Sequence, residues 1–199
     1  PDVDVNISNS VENRLIKLLQ HLDVNNPTEH WDNYFNENSI NWSKIIVSGH
    51  SQGGGHAAFI GMEHQVKRVL MFASPNDYSS FFNTPADWTN LDHITPSSDY
   101  YGLNNLYDDV VDFSDQFQIW NNLGMPLNGD TLIVDYIMNY ASSKQLYTTV
   151  TGPDANQNHS LMIRDDQTIL DGNGKSIFEP VWEYMLGITE GLSICLLYT

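Results

Sequence analysis

Cysteine is nearly absent from this chain: Cys195 is the one such residue in 199. A single cysteine closes no intrachain disulfide, so stability has to come from packing rather than from cross-links. Cations are scarce as well, with 8 Lys and Arg against 25 Asp and Glu and a formal net charge of −17. A surface of that sign repels phosphate backbones and anionic membrane faces, which argues against nucleic acid as a partner. Long apolar runs are missing too: nothing approaches the roughly 20 residues of a membrane helix, and the amino terminus has neither a basic start nor a signal-type stretch. The visible chain therefore reads as soluble, without a membrane span. Because it starts at Pro1, an upstream signal peptide, and with it a secreted or periplasmic location, stays open.

What is present is the material of one globular domain spanning 1–199. Hydrophobic residues make up 41% and aromatics 12%, enough for a packed core, and no repeat or linker divides the chain. The last five residues, Cys195-Leu196-Leu197-Tyr198-Thr199, match the translation of a transposon adapter end and read as a possible adapter-derived tail.

Periodicity predicts an amphipathic helix over 9–22, with Asn9 and Glu12 as a capping pair and Val11, Leu15, Leu18, Leu19 and Leu22 on one stripe. A shorter helix is expected from Thr28 through Trp31, Tyr34 and Phe35. The β-branched run 44–48 reads as a buried strand, 55–63 as a helix, and 66–73 as a second buried strand closed by Ser74-Pro75. Strand, helix, strand is the unit of a parallel sheet covered by helices. Further strands are expected at 100–105 and 145–151, with helices at 114–123 and from Pro180 onward. The stretch 131–140 fits either strand or helix. The fold class is α/β, a mostly parallel sheet with flanking helices.

Chemistry enters at Gly49-His50-Ser51-Gln52-Gly53, a G-x-S-x-G run between a predicted strand and a predicted helix. A serine forced into a sharp strand-to-helix turn needs small residues two positions to either side, which Gly49 and Gly53 provide. The helix that follows aims its amino terminus at the reaction centre, so the Gln52 N–H is placed to donate to a developing oxyanion. A serine hydroxyl also needs a base, and where this motif occurs the partners follow in the order serine, acid, histidine. His21, His30 and His50 precede Ser51, His56 and His64 sit on or beside the elbow helix, and His93 comes before the next strand. His159, on a polar loop after the strand 145–151, is the base. For the acid, Asp108 in Tyr107-Asp108-Asp109-Val110-Val111 is the first choice, Asp109 the second, and Asp77 after the earlier strand the third.

Together these motifs resemble the α/β-hydrolase superfamily. Gly49 to Gly54 resembles its esterase and lipase elbows, Asp108 to Val111 its acid loop, and Asn158-His159-Ser160 its histidine loop. The resemblance runs from about Asn9 to the terminal helix and implies carboxylic ester hydrolysis through a Ser51, His159, Asp108 triad and an acyl-enzyme, with a small-molecule ester as substrate and no cofactor or metal. A peptidase or amidase on the same scaffold, or a non-catalytic binding relative, are the alternatives. In complete relatives more than a hundred residues precede the elbow, whereas 50 do here. The chain is thus expected to lack the first four strands, and with them the second oxyanion donor. The run 44–48 would then lie at an unprotected edge. Tyr78, Phe81, Phe82 and Trp88 form an aromatic stretch that fits either an apolar wall over the site or a packed loop, and Asp171 to Lys175 reads as a surface turn.

Overall fold

A computed structural model describes residues 6–188 apart from 138, so the tail 195–199 with Cys195 lies outside the described residues. The chain forms two compact units, the first ending at Ile45 and the second starting at Ile46.

The first unit opens with a 3-10 turn, Ile7–Asn9, and a helix (α1, Val11–Asn25). The cap is Ser10, whose Oγ accepts the Asn13 N–H at 3.2 Å, and not Asn9, which is spent closing the preceding turn. Leu19 is the buried residue of this helix. The helix expected from Thr28 is replaced by two 3-10 turns, Pro27–Glu29 and Trp31–Tyr34. Between them His30 takes φ +58°, a left-handed conformation that no α-helix can continue through. Two short antiparallel strands (β1, Phe35–Asn36; β2, Ser39–Ile40) and a 3-10 turn, Trp42–Lys44, complete the unit.

The second unit is a five-stranded, all-parallel sheet with flanking helices, an α/β arrangement. Its strands are β3 (Ile46–His50), β4 (Arg68–Phe72), β7 (Tyr100–Asn105), β9 (Gln145–Thr148) and β8 (Leu132–Ile133), side by side in that order. The two remaining strands, β5 (Tyr78–Ser79) and β6 (Thr84–Pro85), form a separate hairpin after β4. Helices α2 (Gln52–Glu63), α3 (Phe113–Asn122) and α4 (Glu179–Leu186) complete it. The first sheet strand begins two residues later than the β-branched run suggests. Lys44 closes the Trp42–Lys44 turn, and the Ile45 N–H is donated to Trp42 O at 2.9 Å. The strand in turn runs through Gly49 and His50 up to the serine.

Burial follows the sheet. Leu70 and Phe72 of β4, Leu103 of β7 and Leu146 of β9 pack with Leu161, Met162 and Phe178, and with Val181 and Met185, the inward residues of α4. Each such side chain contributes about 1.5–3 kcal/mol when removed from water. Because every strand points the same way, the segments leaving β3, β4, β7 and β9 emerge from one edge, the carboxyl edge where open parallel sheets hold their ligands. Ser51, Asn76, Asp108 and His159 lie on those four segments. Among the described residues no helix is long and apolar enough to cross a membrane.

Candidate active site

Ser51 sits between β3 and α2 with φ +57° and ψ −126°, a conformation open to few L-residues and costing about 1–3 kcal/mol. Two main-chain bonds hold it there: its N–H is donated to Phe72 O at 2.9 Å, and its C=O accepts the Gly54 N–H at 3.0 Å. The turn brings chain segments so close that a Cβ on Gly49 would lie 2.0 Å from Gly53 O, and one on Gly54 would lie 2.1 Å from Ser74 Oγ. Gly53 is different. A Cβ there meets nothing within 4 Å, so the glycines the elbow requires are Gly49 and Gly54 rather than the pair flanking the serine at two residues. Gln52 is the first residue of α2, and an N–H at that position has no intrahelical acceptor. It is available to a negative oxygen beside Ser51.

The side chains of Asp108 and His159 meet. His159 Nδ1 lies 2.8 Å from Asp108 Oδ2 and 3.0 Å from Oδ1. The Asp108 side chain is fully buried, and its Oδ1 also accepts the N–H groups of Val110 and Val111 at 2.8 and 3.0 Å. A carboxylate held by this many donors stays in place and fixes the imidazole as the Nδ1–H tautomer, leaving Nε2 as a free base. Asp109, the second choice, points to the same residue but to its backbone, its Oδ1 accepting the His159 N–H at 2.8 Å. Asp77, the third, is elsewhere: its Oδ2 lies 2.2 Å from where a Cβ on Gly55 would sit, against helix α2.

Two hydrogen bonds tether the histidine loop. Asn158 donates from Nδ2 to Tyr107 O at 2.9 Å and accepts the Gly152 N–H at 3.3 Å, which ties the loop to the acid loop. His50 approaches from the other side, its Nε2 3.0 Å from His159 O and its ring 4.8 Å from the His159 ring. That carbonyl can only accept, so His50 is the donor and carries its proton on Nε2. Burial pushes the His50 pKa below the usual 6.5, against the opposing pull of its bond to His159. Both the N–H and the C=O of His159 are therefore spoken for.

Ser51 and His159 are on the same edge, but no hydrogen bond joins Ser51 Oγ to His159 among the described residues. The partner of Ser51 Oγ is the Asn76 side-chain amide, 3.2 Å away. The other end of that amide faces two carbonyl oxygens, Ala73 O and Pro75 O, each at 3.1 Å, so it has to be Nδ2, and Oδ1 faces Ser51. Sequence reasoning passed over Asn76. Its one signal was its place, next to Asp77 on the segment that leaves the strand beside the elbow. The aromatic stretch divides: Phe81 and Phe82 are 87% and 74% exposed at the tip of the β5–β6 hairpin, whereas Trp88 packs edge-on against Phe59.

Comparison with protein-family models, with curated proteins and with solved structures returned no match to this chain.

Proposed function

We propose that this protein is a serine hydrolase of the α/β-hydrolase kind, cleaving carboxylic esters with Ser51 as nucleophile, His159 as base and Asp108 as the acid that orients it. One observation carries the reading: a serine in a strained turn at the mouth of a parallel sheet, on the same edge as a histidine whose Nδ1 is bound to a buried aspartate. That combination suits acyl transfer. His159 Nε2 takes the Ser51 proton as Oγ attacks the ester carbonyl, and the carbonyl oxygen becomes an oxyanion facing the Gln52 N–H. Collapse of this intermediate breaks the bond to the alcohol, which leaves with the proton returned by His159. Water activated by the same nitrogen then releases the acid and restores Ser51. Every proton taken is given back, so no cofactor is required by the cycle.

The test is covalent labelling with a fluorophosphonate probe, alongside hydrolysis of p-nitrophenyl esters and aminoacyl amides. Labelling that disappears in Ser51→Ala and ester turnover well above amide turnover are the expected results. Labelling that persists in Ser51→Ala would assign the nucleophile to another residue, and preferred amide turnover would replace the esterase reading with a peptidase one.

A further inference from the structure

The side chain that meets the Ser51 hydroxyl is Asn76, and everything around Asn76 fixes it. Its segment leaves β4 and is held at three points. Ala73 donates its N–H to Leu103 O at 3.0 Å, Ser74 donates to Asn104 Oδ1 at 2.9 Å, and Trp120, wholly buried in α3, donates its indole N–H to Ser74 O at 3.0 Å. The amide itself is wedged between the carbonyls of Ala73 and Pro75 and the side-chain amide of wholly buried Gln116, 3.1 Å away; the Gln116 end that faces Nδ2 has to be its oxygen, an atom otherwise buried without a partner. With Nδ2 committed to those carbonyls, Oδ1 is left as an acceptor aimed at Ser51 Oγ.

A hydroxyl has one proton. While Ser51 donates it to Asn76 it cannot donate it to His159, and an Oγ proton that His159 does not hold is not removed as the oxygen attacks. Building on the hydrolase reading above, we infer that Asn76 is a positioning residue that holds the Ser51 hydroxyl in a resting orientation, and that turnover requires Ser51 to rotate from Asn76 to His159. The relation is a two-state one: the fraction of molecules with Oγ turned to His159 scales the observed rate. One neutral hydrogen bond sets that ratio at about fivefold.

Two variants remove the acceptor while differing in volume, Asn76→Ala and Asn76→Leu. The expected result for both is a rise of about fivefold in kcat and in the rate of fluorophosphonate labelling, with KM unchanged. A merely structural role for Asn76 lowers kcat and thermal stability together, and either variant behaving so overturns the inference. High-resolution crystal structures of the wild type and Asn76→Ala give a readout independent of activity. The wild type should hold Oγ against Asn76 Oδ1, and the variant should turn it toward His159 Nε2. A wild-type crystal with Oγ already on His159 overturns the inference even if neither variant folds. If the wild type takes no label at all, the hydrolase reading falls and the crystal structures still decide the role of Asn76.

Discussion

Asp109 Oδ1 accepts the main-chain N–H of His159 at 2.8 Å, one residue along from the carboxylate that holds the ring of the same histidine. Two consecutive aspartates thus grip one histidine at two places, Asp108 setting the tautomer and Asp109 setting where the residue sits. The difference is testable because an amide oxygen can replace a carboxylate oxygen toward an N–H donor, but cannot replace its charge. Asp109→Ala should lower kcat about tenfold by leaving the His159 N–H without its acceptor, and Asp109→Asn should restore most of it. Steady-state kinetics on a p-nitrophenyl ester decides; equal losses in the two variants would show that charge, not position, is what Asp109 supplies.

The elbow gives a prediction that runs against the plain motif. A Cβ on Gly53 meets nothing within 4 Å, and the residue lies in the first turn of α2, where alanine is favoured over glycine by up to about 1 kcal/mol. Gly53→Ala should therefore keep its activity and raise Tm by about 2 °C. Gly49→Ala places a methyl 2.0 Å from the Gly53 carbonyl oxygen, a backbone atom that cannot step aside, and should be recovered unfolded or inactive. Thermal melts of purified variants check both, and a soluble, active Gly49→Ala would show that the turn is looser than its distances imply.

The parts of the fold that could be read from the sequence are those in which neighbours along the chain are neighbours in space. The elbow was visible because its geometry is set within six residues, and 100–105 matched β7 through Tyr100, Tyr101 and Leu103, although the strand ends on two buried asparagines, Asn104 and Asn105. The pairing of His159 with Asp108, 51 residues apart, is the exception: it came from the chain order serine, acid, histidine that accompanies the elbow motif. Asn76 was out of reach. Whether it or Asp77 turns toward Ser51 is decided by Asn104 and Trp120, which grip Ser74 from 30 and 46 residues away. The start of β3 was misplaced for the converse reason, since a local turn at Trp42–Lys44 captured residues whose β propensity pointed into the strand.

Acid should loosen the second unit through two histidines. His93 donates from Nδ1 to Tyr100 Oη at 2.7 Å, Tyr100 having committed its own proton to Ala58 O, and His93 Nε2 is buried without a partner. Burial lowers the pKa of His93 below 6.5 against the pull of Asp92. Burial likewise lowers that of His50, against the upward pull of its hydrogen bond to the His159 carbonyl and of Asp108. With folded values below the unfolded one, the unfolded chain takes up protons first as pH drops. The stability these residues contribute is complete above about pH 6.5 and declines below it. Tm should fall between pH 7 and pH 5.5, and the fall should be smaller in His93→Asn and His50→Gln, each of which keeps the donor and removes the titration. A double variant as acid-sensitive as the wild type would place the effect in other groups.

Which carboxylate serves the histidine can be settled by three isosteric changes. In Asp108→Asn the side-chain oxygen is expected to stay on the Val110 and Val111 N–H groups, so the new amide nitrogen faces His159 Nδ1. A donor there forces the ring to keep its proton on Nε2, and the base is lost where Ser51 would need it. The fold should survive, since both main-chain bonds remain, while kcat should fall by about 10³–10⁴ with KM little changed. Asp109→Asn keeps an acceptor for the His159 N–H and should cost little. Asp77→Asn alters a side chain that lies against Gly55 and should be close to wild type. The ranking is what matters: a greater loss in Asp77→Asn than in Asp108→Asn would move the acid to the segment after β4 and make the 2.8 Å contact between Asp108 and His159 a structural one.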